Sequence, residues 1–196
     1  MFTGIVEATG RIAGVEQRDR GVRLTIESDA LDFSDVRLGD SIAANGVCLT
    51  VIGLEGKTYM VDVSQETLNC TVGLSEKGEV NLEKAMRLSD RLGGHMVSGH
   101  VDGVGEVAKF ERIGESHLLV IRPPKELLRY IAPKGSITVN GVSLTVNAVE
   151  HGEFSINLIP HTVEVTTLKQ LRPGAKVNLE VDMLARYVDR LLHPEQ

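Results

Sequence analysis

One phrase of seven residues is written twice in this chain, and it constrains the fold more than any other feature. It reads Asn45, Gly46, Val47, Cys48, Leu49, Thr50, Val51 and then Asn140, Gly141, Val142, Ser143, Leu144, Thr145, Val146, differing only at Cys48 against Ser143. Asn-Gly marks a tight turn because both residues tolerate positive φ, and the alternation after it has the period of a strand. Val, Leu and Val then share a face that buries. Cys48 and Thr50, or Ser143 and Thr145, share the opposite face, which is left for a ligand. Gly46 and Gly141 stand 95 positions apart, as do Thr67 and Thr162, while Asn81 and Asn178 in the closing segments stand 97 apart. So steady a register implies two equivalent halves of roughly 90 residues each.

Each half offers about six short strands punctuated by glycine and proline, with one short helix. That pattern predicts an all-β chain of two tandem six-stranded Greek-key barrels rather than a parallel sheet with long crossover helices. The expected division is a first barrel over residues 1–96, a second over 97–182, and a short C-terminal helix over 183–196. Residues 1–12 read as a strand broken by Gly4, and Gly103 to Glu106 reads as the echo of Gly4 to Glu7. Short helical connectors are expected at 30–33 and 124–131. The glycine-rich stretch from Ser89 to Gly103 reads as the linker, its later part entering the second barrel. In the tail, Leu184, Tyr187, Val188 and Leu191 share one helical face, which favours self-association with the same helix of other copies.

A net charge of -6 argues against nucleic acid and anionic membranes as main partners. No apolar run reaches the roughly 20 residues of a membrane span, and the N-terminus carries no basic leader, so the cytoplasm is the expected location. Two cysteines, Cys48 and Cys70, do not make a secreted disulfide framework. Gly103 to Ala108 fits the loose pattern G-x-G-x-x-G/A, but strand-like sequence follows where a phosphate-binding helix is needed. His95 and His100 lie five apart on the glycine-rich junction without a third ligand or an HExxH pattern, so a metal site is disfavoured. His95 reads as a surface or hydrogen-bonded histidine, and His100 as a site residue at the mouth of the second barrel. Ser143 lacks the second glycine of a nucleophile elbow. The residues by themselves thus give a duplicated barrel with twin polar pockets.

The opening MFTGIVE, the phrase NGVCLTV with its copy NGVSLTV, the junction GGHMVSGHVDG and the segment LIPHT at Leu158 to Thr162 resemble the riboflavin synthase family, α-subunit type. The resemblance spans essentially the whole chain. It implies a homotrimer held by C-terminal helices, with sites between the first barrel of one subunit and the second barrel of a neighbour. The implied reaction is a dismutation in which two molecules of 6,7-dimethyl-8-ribityllumazine exchange a four-carbon unit. No cofactor or metal takes part, and lumazine synthase is a further implied partner. Carried over by residue, the first pocket takes Gly4, Ile5, Val6, Cys48, Leu49, Thr50, Asp62, Val63, Ser64, Gln65, Glu66 and Thr67, with Phe2 and Ser41 close by. The second takes Gly99, His100, Val101, Lys134, Ser143, Leu144, Thr145, Asn157, Leu158, Ile159, Pro160, His161 and Thr162. Asp182 also falls at a family site position. On this resemblance the catalytic set is His100, Ser143, Lys134, Cys48, Asp182 and Phe2, with His100 as the candidate base. The competing reading is a lumazine-binding antenna protein that holds the chromophore without converting it. A flavin-binding barrel of a reductase has less support, since no nicotinamide-binding domain follows.

Overall fold

The computed structural model describes residues 1–194; the last two residues of the expected C-terminal helix lie outside that range. The first barrel is built from β1 (Ala8–Arg18), β2 (Gly21–Glu27), β3 (Ser41–Ala44), β4 (Val47–Glu55), β5 (Thr58–Ser64) and β6 (Gly78–Lys84). The second uses β7 (Gly103–Ile113), β8 (Ser116–Arg122), β9 (Ser136–Val139), β10 (Val142–Glu150), β11 (Glu153–Leu158) and β12 (Lys176–Val181). Both are closed and antiparallel, and both run in the order first, second, fifth, fourth, third, sixth, with the sixth strand paired back to the first. Closure leaves neither barrel with a strand unpaired along its whole length. Matching bulges bend the strands at Ile12/Gly14 and Val51/Gly53, and again at Val107/Lys109 and Val146/Ala148. Helix α1 (Gln65–Cys70) follows β5, α2 (Pro160–Val165) follows β11, and α3 (Met183–Leu192) follows β12.

Each barrel fills its own interior. Leu24, Ile26, Tyr59 and Leu82 are fully buried in the first, and Leu119, Ile121, Ile137 and Leu179 in the second. The repeated phrase takes its predicted form: Asn45 (φ 47°) and Gly46 (φ 81°) turn β3 into β4, and Asn140 (φ 47°) and Gly141 (φ 80°) turn β9 into β10. The two turns meet, since a Cβ on Gly46 would lie 2.7 Å from the nitrogen of Gly141, and a Cβ on Gly141 equally close to that of Gly46.

Four asparagines brace this junction. Asn45 Oδ1 accepts from the Asn81 amide (2.9 Å) and Asn140 Oδ1 from that of Asn178 (2.8 Å). Asn81 then donates to the Asn140 carbonyl, and Asn178 to the carbonyls of Asn45 and Val72. Their remaining oxygens accept from the amides of Thr167 and Val72. Every bond in the set has a counterpart in the other half or crosses between halves, so the barrels form one unit rather than beads on a linker.

Three sequence expectations change. Residues 1–7 are not part of a strand broken at Gly4; they form an arm ahead of β1. The true echo of Gly4 is Gly99, since β1 and β7 start 95 positions apart, at Ala8 and Gly103. The connector at 30–33 is a run of bends and turns, held by Ser28 Oγ, which accepts from the amides of Ala30 and Leu31, whereas the later connector is helical as expected, a 3₁₀ helix over Lys125–Tyr130.

Candidate functional site

The arms exchange barrels. Phe2 and Val97 pair backbone to backbone (2.7 and 3.0 Å) where the arms cross. Beyond that point the Gly4 carbonyl accepts from the amide of Ser143 in the second barrel (2.7 Å), and the Gly99 carbonyl accepts from the amide of Cys48 in the first (2.9 Å). Val6 packs on the second core and Val101 on the first. Both glycines are required, for they sit at positive φ (74° and 80°), and a Cβ on either would lie 2.6 Å from the Cβ of Ser143 or Cys48. Two buried carboxylates fix the arms. Glu83 accepts from the amides of Thr3 and Gly4 and the Thr3 hydroxyl, and Glu180 accepts the matching three bonds from Ser98 and Gly99. Burial raises the pKa of Glu83, against the pull of its hydrogen bonds to Thr3 and Gly4.

Beside each arm the barrel wall opens. The ladder between β4 and β5 ends at Val51 and Val61, although Cys48–Thr50 and Asp62–Ser64 continue both strands. In the second barrel it ends at Val146 and Ile156, ahead of Ser143–Thr145 and Asn157–Leu158. Backbone groups along an antiparallel strand alternate in direction. Val51 and Val146 donate to Asp40 and Gly135, on the side of β3 and β9. The amides of Thr50 and Thr145 therefore face the open seams. Along each seam the pattern is the one read from sequence: Leu49 and Leu144 are buried, while Thr50 and Thr145 are exposed and Cys48 and Ser143 half-buried. A flat ligand edge with donors and acceptors fits such a gap, where backbone groups lack strand partners.

The expected site residues gather at these seams with the arms exchanged from the grouping expected above. The first seam collects Cys48, Leu49, Thr50, Asp62, Val63 and the start of α1 with Gly99, His100 and Val101. The second collects Ser143, Leu144, Thr145, Asn157, Leu158 and the start of α2 with Gly4, Ile5 and Val6. His100 thus belongs to the first barrel's seam, not to the mouth of the second, and it is exposed there. Ser64 caps α1, its Oγ accepting from the Thr67 amide (3.1 Å), whereas Pro160 opens α2 with no side-chain cap at Ile159. Gln65 donates from its backbone to Arg20 and from its side chain to Asn69. Glu66, His161 and Ile159 are exposed at the helix starts, with Thr162 half-buried behind them.

Charge separates the seams. Asp62 is held in a two-pronged pair by Arg23 (2.7 and 2.9 Å), which keeps its carboxyl below the usual range. An open cleft of about 900 Å³ borders the same residues from the β2 side. The second seam has Asn157 at that place, and it has Lys134, exposed and at φ 67°, at its end. Ser41 pairs with Thr50 from β3 and lines a separate cavity of about 270 Å³, away from the seam. Phe2 is fully buried against Val97, Ala43 and Cys48, behind the first seam. Asp182 caps α3 through the Leu184 amide (2.9 Å).

Comparison with known proteins agrees with this architecture. A lumazine binding domain model matches twice, over residues 3–85 and 98–182. Riboflavin synthase of Photobacterium phosphoreum is 49% identical over 194 residues, covering 98% of this chain and 89% of that one. The Bacillus subtilis riboflavin synthase is 42% identical over 195 residues, covering 98% and 90%. The chain belongs to the riboflavin synthase family of transferase-type enzymes. Among solved structures, LumP in complex with 6,7-dimethyl-8-(1'-D-ribityl) lumazine superposes at a TM-score of 0.82 with 28% identity, over 92% of this chain and 99% of that one. LumP in complex with riboflavin gives 0.83 and 29% over the same shares.

For a riboflavin synthase family chain, three functional groups lay outside the residues singled out from sequence. Glu83 and Glu180 were visible only as members of the repeated Val-Asn-Leu-Glu, which read as strand. The bracing role of Asn81 and Asn178 was hidden in the same motif. His95, expected to be a surface or hydrogen-bonded histidine, is hydrogen-bonded, its Nδ1 lying 2.7 Å from Ser143 Oγ; the partner was not named, and the paired Gly93 and Gly94 before it were the available signal of close approach.

Proposed function

We propose that this chain catalyses the last step of riboflavin biosynthesis, transferring a four-carbon unit between two molecules of 6,7-dimethyl-8-ribityllumazine to give riboflavin and 5-amino-6-ribitylamino-pyrimidinedione. The observation that carries the reading is the pair of equivalent open seams with unlike side chains: two copies of one substrate need two similar cradles, and donor and acceptor roles need them to differ. The working site is formed between the first seam of one subunit and the second seam of a neighbour, in a cytoplasmic homotrimer. Its subunits join through α3, whose Leu184, Tyr187 and Leu191 are 61%, 67% and 81% exposed in the single chain. Lumazine synthase is a further protein partner. An acidic first seam meeting a second seam that carries Lys134 and His161 favours this unlike pairing over two like seams face to face.

The C7 methyl of the lumazine is acidic because its carbanion delocalises into the ring. His100, exposed at the first seam, takes that proton as the general base. Lys134 stabilises negative charge developing on the ring carbonyls. Holding two reactants face to face contributes on the order of 7 to 11 kcal/mol by itself. Mixing the protein with the lumazine tests the reading. Rising flavin absorbance is expected, and retained blue fluorescence with no flavin would assign the chain to the antenna proteins. Native mass analysis after deletion of residues 183–196 tests the assembly, with species smaller than a trimer expected.

A further inference from the structure

We propose that Arg186 is a positioning residue for the first seam: from α3 it holds Asp102, the last residue of the arm that lays Gly99 against Cys48, and so ties that seam to the helix through which subunits join. The link draws its meaning from the proposed activity and assembly, and its support from geometry. Asp102 donates its amide to the Leu179 carbonyl (2.8 Å) and its Oδ2 accepts from the Val181 amide (2.8 Å), so the residue grips β12 at two points. One nitrogen of Arg186, Nη2, then lies 2.9 Å from Oδ1 and 3.0 Å from Oδ2. The Asp102 side chain is 13% exposed and that of Arg186 42%, which makes this a charge-assisted contact at the edge of the interior rather than a solvated surface pair. Arg186 Nε is buried without a partner among the described residues, so it is Asp102 that aims the guanidinium. Burial pushes the Asp102 carboxyl up, and the Val181 amide, Arg186 and His100 pull it back toward the charged form.

The other arm shows what the link adds. Glu7 holds the place of Asp102 in the first half: its amide donates to the Leu82 carbonyl (2.9 Å), and its Oε1 accepts from the Lys84 amide (2.7 Å). No ion pair reaches Glu7 among the described residues, for no helix like α3 follows β6. The arm over the second seam is thus held by backbone groups and the glutamate clamp, whereas the arm over the first seam has a cation added to the same set. Helix α3 in turn has no buried residue. It meets its own barrel through polar contacts, Arg186 at Asp102, and Asp189 at Arg129 and the Tyr130 hydroxyl (3.0 Å). Of these two holds, the first ends at a seam. A change in the seat of α3 when neighbouring helices pack on its apolar face therefore reaches Gly99 and His100 through Arg186, and leaves Gly4 and Ile5 untouched.

Site-resolved amide hydrogen exchange reads the two arms separately in one protein, because the Cys48 amide donates to Gly99 and the Ser143 amide to Gly4. Arg186→Met keeps an apolar stem and removes the charge. It should speed exchange at Cys48 about tenfold and leave Ser143 within about twofold. Arg186→Lys should stay within about threefold of the unmodified protein at Cys48, since a single nitrogen makes both contacts and an ammonium can take its place. Asp102→Asn keeps an acceptor for the Val181 amide and leaves α3 unaltered. It should match Arg186→Met, and the double variant should be no faster than either, because the pair acts as a unit. On the proposed activity, kcat should fall about tenfold in both single variants and recover with lysine. Equal acceleration at both amides, exchange at Cys48 unchanged by Arg186→Met, a lysine variant as fast as the methionine one, or an active enzyme whose kcat ignores Arg186→Met would each overturn the proposal. Should the unmodified protein make no riboflavin, the activity falls, and the exchange comparison still decides the link.

Discussion

The two seams are cut from one template and furnished differently. Along the first run Cys48, Asp62, Glu66 and His100, with Gly39 at its end; along the second run Ser143, Asn157, His161 and Ile5, with Lys134 at its end. What is identical is the backbone: the bulges, the end of the strand ladder, the glycine of the arm and the glutamate that clamps it. Duplication kept every feature that opens the wall and released the side chains that face the opening. The imidazoles differ with them, His100 being exposed at the first seam and His95 buried behind Ser143 at the second. On the proposed activity, interchangeable seams would let either substrate molecule react in either sense, and unlike seams would give each its part.

The sharpest way to break this comparison is to remove the same position from both. Ser143→Ala should lower kcat by about 10² to 10³, roughly 3 to 4 kcal/mol of barrier. Cys48→Ala, lacking any hydrogen-bonded partner to lose, should lower it less than tenfold; equal losses in steady-state assays would mean that the seams are equivalent. The brace should behave in the opposite way. Asn81→Leu strips the Thr167 amide and the Asn140 carbonyl of their partners, and Asn178→Leu does the same to the Val72 amide and the Asn45 carbonyl. With both side chains buried, each variant should lose about 2 to 3 kcal/mol in urea unfolding, the two within about 1 kcal/mol of one another. A large inequality would show that one half carries the junction.

Much of this is legible in the sequence itself. Asn-Gly followed by alternation is a local signal, so the β3–β4 and β9–β10 hairpins, the two barrels and the outward face of Cys48, Thr50, Ser143 and Thr145 could be read directly. Non-local choices could not. Nothing within residues 1–7 encodes which barrel they pack on; that depends on Gly4 meeting Ser143 and Glu83 reaching Thr3 across 80 positions. The false echo of Gly4 at Gly103 came from likeness of composition, Gly-Val-Gly-Glu against Gly-Ile-Val-Glu, where the constant offset pointed to Gly99. The connector at 30–33 has helix-compatible residues, but Ser28 and Asp32 bind nearby amides and hold it as turns.

A smaller effect separates the seams by pH. The second has a buried histidine behind it and the first has none among the described residues. Burial is the main cause of the lowered pKa of His95, partly offset by Asp182. Above about pH 6.5 the ring is neutral in both folded and unfolded chains, and its contribution is fully present. As pH falls through 6.5 the unfolded chain binds a proton that the folded chain refuses until its own lower pKa is reached, so stability is lost across that window. The slope is at most about 1.4 kcal/mol per pH unit. Glu83 and Asp102, whose pKa values are raised mainly by burial, act with the opposite sign. They cancel when unmodified protein and His95→Phe are compared at pH 7.5 and 5.5. The unmodified protein should lose more stability than the variant; matching urea midpoint shifts would remove His95 from the acid sensitivity.

The smallest effect concerns the seam ends. Gly39 (φ 92°) and Lys134 (φ 67°) occupy the same left-handed position, each donating its amide to the equivalent valine carbonyl, of Val51 or Val146. Glycine takes that conformation freely, whereas a lysine there costs about 1 to 2 kcal/mol. The second barrel therefore carries a strained backbone that the first shows to be unnecessary for folding, and on the proposed activity the return is the ammonium group at the seam. Lys134→Gly relieves the strain but adds about 0.5 to 1 kcal/mol of chain entropy lost on folding, leaving a net gain near 0.5 to 1 kcal/mol. A slightly raised unfolding midpoint together with slower turnover is the expected pair of results. Gly39→Lys should lower the midpoint without adding activity, because it brings the left-handed strain to a seam end that does without an ammonium. If Lys134→Gly were both less stable and fully active, the strain would have no functional return and the two ends would differ by drift alone.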